Sequence, residues 1–89
     1  MIKTLDDSNN AYEFQGVPET TRVIGTSGTI GGGTLRLQYR VEESDDWVDN
    51  PNYDSAADLH IAGVLVLPSQ YNRVFLDGSS GASVNVSIQ

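Results

Sequence analysis

Apolar and polar residues alternate with a period of two along much of the chain, as expected of β-strands with one buried face. Residues 82–89 show this most clearly, because every second position from Ala82 to Ile88 is apolar and the positions between are Ser, Asn or Gln. Residues 34–41 alternate in the same way. The positions of this second strand that are predicted to be buried are Leu35, Leu37, Tyr39 and Val41. Both segments are therefore predicted strands.

Four further segments also have strand character. Residues 59–67 form a nearly continuous apolar run that Pro68 ends, and residues 71–77 follow at hairpin spacing. Residues 20–24 and a short edge strand at 12–14 complete the set. Many short strands separated by Gly, Pro, Asn and Asp predict an all-β fold, a small antiparallel β-sandwich that is Ig-like or jelly-roll-like.

The predicted domain organisation is simple. A chain of 89 residues suffices for one domain, which we place at residues 11–89. Residues 1–10 are polar and are expected to form an N-terminal arm outside the core. The glycine-rich residues 25–34 are expected to be a flexible or tightly turning connection, because neither the Lys nor the helix of a phosphate-binding loop follows them.

Charge narrows the choice of partners. Twelve acidic and five basic residues give a net charge of −7, and the basic residues are scattered along the sequence. Nucleic acids and anionic membranes are therefore not expected partners. The first residues lack the apolar segment of a signal peptide, so the protein is expected to stay soluble unless it leaves the cell within a larger particle.

Residues that could support catalysis are few. His60 is the only histidine, there is no cysteine, and no nucleophile-elbow spacing accompanies the many Ser and Asp residues. We expect His60 to face solvent or a neighbouring subunit, and we expect no catalytic residue, no cofactor and no enzymatic activity.

Residues 42–58 contain seven carboxylates and no basic residue. The spacing of Asn50, Asn52 and Asp54 matches the start of a calcium loop, but Ser55 and Ile61 stand where Gly and Glu are needed. A different oxygen cage for Ca²⁺ stays open as an alternative, although a solvated acidic loop without metal is favoured.

Two aromatic residues, Trp47 and Tyr53, lie within this acidic segment. Each either closes one end of the sandwich or anchors an interface. For Trp47 the core position is favoured, and for Tyr53 the interface.

Several motifs together resemble short β-rich structural proteins of tailed bacteriophages. They are a Gly-Gly-Thr-Leu-Arg-Leu-Gln-Tyr strand at 32–39, an Asp-Asp-Trp-Val-Asp loop at 45–49, a Val-Leu-Pro hairpin with Tyr-Asn-Arg-Val at 66–74, and a closing Gly-Ala-Ser-Val-Asn-Val-Ser-Ile strand at 81–88. The resemblance covers about residues 20–89 and implies a virion component, typically a capsid decoration (cement) protein.

This resemblance implies a location on the capsid surface after assembly in the host cytoplasm. The implied partners are the major capsid protein or another virion protein, together with self-association, most simply as a homotrimer. Alternatives are a head–tail connector, tail or fibre component, and a carbohydrate- or ligand-binding β-sandwich module. The residues expected to contact a partner are Met1, Ile2, Lys3, Leu5, Tyr53, Tyr71 and Arg73.

Overall fold

A computed structural model describes residues 2–53 and 56–89 and contains eight β-strands, with no helix in that part of the chain. The strands are β1 (Ile2–Asp6), β2 (Ala11–Gln15), β3 (Thr21–Thr29), β4 (Thr34–Arg40), β5 (Val48–Asp49), β6 (Ala62–Val66), β7 (Tyr71–Asp77) and β8 (Ser83–Ile88). The predicted all-β fold is confirmed. The strand β5 was not predicted, because two residues are too short to show a period.

The strands form two four-stranded sheets, with the order β1-β8-β3-β6 in the first sheet and β2-β7-β4-β5 in the second. All neighbours are antiparallel, and four of the pairs are nested: β4 with β5, β3 with β6, β2 with β7 and β1 with β8. The four nested pairs are equivalent to one long hairpin that is closed between β4 and β5. In addition, β3 pairs with β8 and β4 pairs with β7, so that the hairpin is rolled up into two sheets. This is the strand order of an eight-stranded jelly roll. Of the two predicted topologies, the structure has the jelly-roll-like one.

The two sheets pack face to face around the predicted alternating positions. Leu35 and Leu37 are buried on β4, as are Val84, Val86 and Ile88 on β8. Other core residues are Leu5, Tyr12, Ile24, Ile30, Ile61, Leu65, Leu67, Val74, Leu76 and Ala82. The register predicted for both strands is therefore confirmed, except that Tyr39 is only half-buried and Val41 is exposed beyond the end of β4.

The expectation of an N-terminal arm outside the core is wrong for residues 2–6. These residues form β1, which pairs with β8 along its whole length. Leu5 on this strand is fully buried between the sheets. The neighbouring inward position holds Lys3, whose ammonium group lies 5.5 Å from the centre of the Tyr12 ring. With only one buried apolar side chain in five residues, β1 leaves no readable period in the sequence.

The glycine-rich segment is also only partly a connection. Residues 25–29 continue β3 and pair with β8, and the turn is confined to residues 30–33. Gly28 has a φ of 111°, and a Cβ at this position would overlap the carbonyl oxygen of Ser83. Glycine is required here because the two strands approach too closely for any side chain.

Candidate functional site

The outer face of the second sheet carries a cluster of cationic and aromatic side chains, which we call the arginine–aromatic face. It consists of Arg36, Gln38, Arg40, Trp47, Arg73 and Phe75. The strands β4 and β7 place alternate side chains inward in the core, so their remaining side chains share the outer face. Trp47 joins them from the loop between β4 and β5.

Trp47 lies against two guanidinium groups. The guanidinium carbon of Arg40 is 4.3 Å from the centre of the indole ring, and that of Arg73 is 4.7 Å away. Arg73 also lies 4.5 Å from the centre of the Phe75 ring. These distances are typical of cation–π contacts. The preference for Trp47 as a core residue is therefore wrong: the ring is half-buried on the outside of the sheet, where it covers cations rather than apolar side chains.

Carboxylates and an amide hold the arginines in place. Arg36 bridges Asp49 and Asp77, with N–O distances of 3.1 and 3.2 Å. The Gln38 amide donates to Asp49 over 2.9 Å and accepts from Arg73 Nε over 2.7 Å. Single exposed ion pairs contribute little stability, but this chain of contacts fixes where the guanidinium groups point.

The Arg73 guanidinium is partly buried on this face. Burial lowers the pKa of Arg73 from its ordinary value, and the neighbouring Arg40 lowers it further, whereas Glu13 opposes the change. Arginine stays protonated despite such a shift. Two crowded cations therefore share the carboxylate of Glu13, whose Oε1 lies 3.7 Å from Arg40 Nη2.

A cleft of about 210 Å³ opens at one end of the arginine–aromatic face. Its lining includes Glu13, Gln15, Arg40, Glu43, Trp47 and Tyr71. The Ser69 hydroxyl donates to the carbonyl of Arg40 over 2.5 Å, and the Asn72 amide donates to the Ser69 carbonyl over 2.8 Å. Arg40 Nε is buried without a hydrogen-bond partner.

The residues predicted to contact a partner are spread over the molecule. Tyr71 and Arg73 lie together on the outer face of the second sheet. Ile2 is 70% exposed on the outside of the first sheet. The prediction for Leu5 is wrong, because its side chain is fully buried in the core. Met1 lies outside the described residues.

A second exposed surface lies on the outside of the first sheet. We call it the valine face; it consists of Val23, Val64 and Val66, which are 52%, 62% and 50% exposed. Val23 stands opposite Val64, and Val66 opposite Thr21. The sequence did not predict this surface, because residues 59–67 are nearly all apolar and the pattern therefore predicts that both faces of β6 are buried.

Tyr53 packs against the hydrophobic core, and its hydroxyl donates to the Val64 carbonyl over 2.6 Å. Its ring therefore belongs to the sandwich, and its polar end lies at the edge of the first sheet.

The side chain of His60 holds the chain before β6 against β3. Its Nδ1 lies 3.1 Å from the hydroxyl of Thr26 and its Nε2 lies 3.1 Å from the carbonyl oxygen of Gly28. The Thr26 hydroxyl also accepts the N–H of Ile61 over 2.8 Å. His60 is exposed, as expected, but both ring nitrogens are engaged within the chain.

The carboxylate of Asp7 ties the loop after β1 to the turn before β8, a contact that no sequence pattern indicated. It accepts hydrogen bonds from the Ser79 hydroxyl over 2.8 Å and from the N–H groups of Gly81 and Ala82 over 2.6 and 3.1 Å. These bonds lower the pKa of Asp7, with that from Ser79 contributing most. Asp7 therefore cross-links two distant loops.

The acidic segment is partly ordered by its contacts with other residues. Asp49 accepts from Arg36 and Gln38, and Asp58 accepts from the N–H of Gly32 over 3.0 Å. Asp54, the third position of the calcium-like spacing, lies outside the described residues. Within residues 2–53 and 56–89, no group of three or more His, Asp or Glu side chains is placed to hold a metal ion.

In the part of the chain that the structure describes, no helix has the length and apolarity to cross a membrane. Comparisons with protein-family models, with curated proteins and with solved structures gave no match to this chain.

Proposed function

We propose that this chain is a non-enzymatic structural protein of a virion, and that it decorates the outer surface of a phage head and stabilises it. The proposal rests first on the motif resemblance over residues 20–89. The motifs coincide with elements that build the sandwich, since 32–39 covers all of β4 but its last residue and 81–88 includes β8. Jelly rolls are common among capsid proteins.

The observation that carries the proposal is the valine face. Three exposed valines stand side by side in a protein whose net charge is −7. Copies of so acidic a protein repel one another. Another protein can approach with the least electrostatic repulsion at a surface that is apolar and whose cross-strand neighbours are uncharged. Contiguous exposed apolar side chains mark protein interfaces. We assign this face to the contact with the major capsid protein, or to contacts within a homotrimer on the capsid.

One charged substitution tests this assignment. Val64→Glu places a carboxylate in the middle of the valine face, and Val41→Glu adds the same charge at a site of matched exposure, 66% against 62%. Both variants should keep the melting temperature of the parent, since both side chains are exposed. Co-sedimentation with purified phage heads should be lost for Val64→Glu and retained for Val41→Glu. Equal binding of the two variants would refute the assignment.

A head–tail connector, tail or fibre component is the alternative within the virion. Immunogold labelling of purified particles separates these roles, because a decoration protein labels the whole head and a connector labels one vertex. The alternative of a carbohydrate- or ligand-binding module has a separate source of support in the cleft beside Trp47.

A further inference from the structure

We propose that the cleft beside Trp47 binds a neutral hydroxylated ring, namely one sugar residue of a carbohydrate. This site lies on the second sheet, whereas the valine face lies on the first, so the proposal does not depend on the virion role.

The size of the cleft limits the ligand. Its volume of about 210 Å³ is below the roughly 300–1,000 Å³ of pockets that enclose drug-sized molecules. The cleft therefore has room for about one ring. Three aromatic residues line it, namely Phe14, Trp47 and Tyr71. Aromatic side chains of this kind offer wide apolar area with a polar end, which suits a ring that has both C–H faces and hydroxyl edges.

The polar groups of the cleft identify the chemistry of the ring. Arg40 supplies N–H donors, while Glu13 and Glu43 supply acceptors. Gln15 supplies both. A hydroxyl group donates one hydrogen bond and accepts others, so it matches such a mixed lining.

Anionic ligands match the same lining poorly. A carboxylate or phosphate would face two carboxylates, Glu13 and Glu43. An uncharged ligand avoids this repulsion.

The donor that the ligand would use is already in position. Contact with the Trp47 ring at 4.3 Å and the ion pair with Glu13 at 3.7 Å hold the Arg40 guanidinium. The Ser69 hydroxyl holds the main chain of the same residue. Groups fixed before binding lose less conformational entropy when a ligand arrives.

Trp47 gives a direct measurement, because it is the only tryptophan in the chain. Its fluorescence should be titrated with glucose, galactose, mannose and N-acetylglucosamine, and with glucuronate as a charged probe. We expect a saturable change for at least one neutral sugar, with a Kd of about 1 mM, the range of a small weakly held ligand. Amide chemical shifts in two-dimensional NMR should change at Gln15 and Tyr71 in the same titration.

Matched arginine variants locate the site. Arg40→Gln should weaken binding by about tenfold or more, which corresponds to the loss of about 1.4 kcal/mol. Arg22→Gln, on the first sheet and away from the residues that line the cleft, should bind as the parent does. NMR shifts serve as the readout for both, since Arg40→Gln also changes the surroundings of Trp47.

Three results would overturn this proposal: no saturation with any neutral sugar, tighter binding of glucuronate than of every neutral sugar, or equal affinity in the two arginine variants. None of them bears on head binding through the valine face, which Val64→Glu tests separately.

Discussion

The hydroxyl of Tyr53 donates a hydrogen bond to the main-chain carbonyl of Val64, 2.6 Å away. Val64 lies on β6, the last strand of the first sheet. The residue opposite Val64 on β3 is Val23, which makes both of its main-chain hydrogen bonds with Gln89, on the side of β3 that faces away from β6. Val23 and Val64 are therefore a pair without hydrogen bonds between them, and the N–H and C=O groups of Val64 point away from β3. Tyr53 thus covers part of an open sheet edge, which proteins commonly protect against pairing with other chains.

Replacing Tyr53 with Phe should uncover this edge while keeping the ring in the core. The loss of one hydrogen bond should lower the free energy of unfolding by about 1 kcal/mol, measurable by urea denaturation. Light scattering should also show more self-association, because the Val64 carbonyl becomes free to pair. Tyr71→Phe on the second sheet is the control and should show neither change.

Tyr53 should also make the stability of the protein sensitive to alkaline pH. Burial raises the pKa of the Tyr53 hydroxyl, so the folded state favours the neutral form. The resulting stability is present below the pKa of an unfolded tyrosine, about 10, and is lost as the pH rises through and above that value. The parent should therefore lose stability faster than Tyr53→Phe in melts above about pH 10. Parallel loss in both proteins would contradict this.

Asp7 should make the fold sensitive to acid. Its pKa is lowered in the folded state by the bonds from Ser79, Gly81 and Ala82. The stability it contributes is therefore present above the pKa of an unfolded aspartate and lost as the pH falls through the lower folded value. Asp7→Asn should melt at a lower temperature than the parent at pH 7, and the difference should shrink below about pH 4.

The control for this experiment is Asp46→Asn, which changes the net charge equally at an exposed position of the acidic loop. It should melt as the parent does throughout. If Asp7→Asn also behaved as the parent at pH 7, the clamp between the two loops would have no energetic role.

We expect no metal dependence. The calcium-like spacing lacks the Gly and Glu of a calcium loop, since Ser55 and Ile61 stand at those positions. Asp49 within the same segment is already engaged by Arg36 and Gln38. The melting temperature should therefore be the same in EDTA and in millimolar Ca²⁺. A fall of several degrees in EDTA that Ca²⁺ reverses would reveal a different oxygen cage.

The sequence predicted those strands whose alternation is strict. β4 and β8 were placed in the correct register because Leu37 and Val86 have polar neighbours on both sides, and a shift of one residue would expose every apolar side chain. The apolar run at 59–67 predicted a strand but did not predict that the Val64 side chain is exposed. A run without alternation does not show which of the two faces of a strand is buried.

The candidate site was predicted only in fragments. Tyr71 and Arg73, which the sequence predicts as partner contacts, lie on the outer face of the second sheet. Their neighbours Arg40 and Trp47 come from another strand and its following loop. Their meeting depends on the pairing of β4 with β7, which places Arg40 opposite Tyr71. A tryptophan surrounded by acidic residues in the sequence gives no sign of the two arginines that the fold brings beneath it.

The last prediction concerns β1, which the sequence left outside the domain. Leu5→Ala should lower the free energy of unfolding by about 2–5 kcal/mol, because the fully buried side chain leaves a cavity. Leu37→Ala should cost a similar amount. The matched control Ile2→Ala, on the same strand but 70% exposed, should change it by less than about 0.5 kcal/mol.

Deletion of residues 1–10 extends this test. An arm outside the core could be removed without loss of the fold, whereas removing β1 exposes the edge of β8 and opens the core at the position of Leu5. For a small domain with about 5–15 kcal/mol of stability, we expect the shortened chain to lose its β-sheet circular dichroism signal and its cooperative melt. A shortened chain that melts as the parent does would show that β1 contributes nothing to the sandwich.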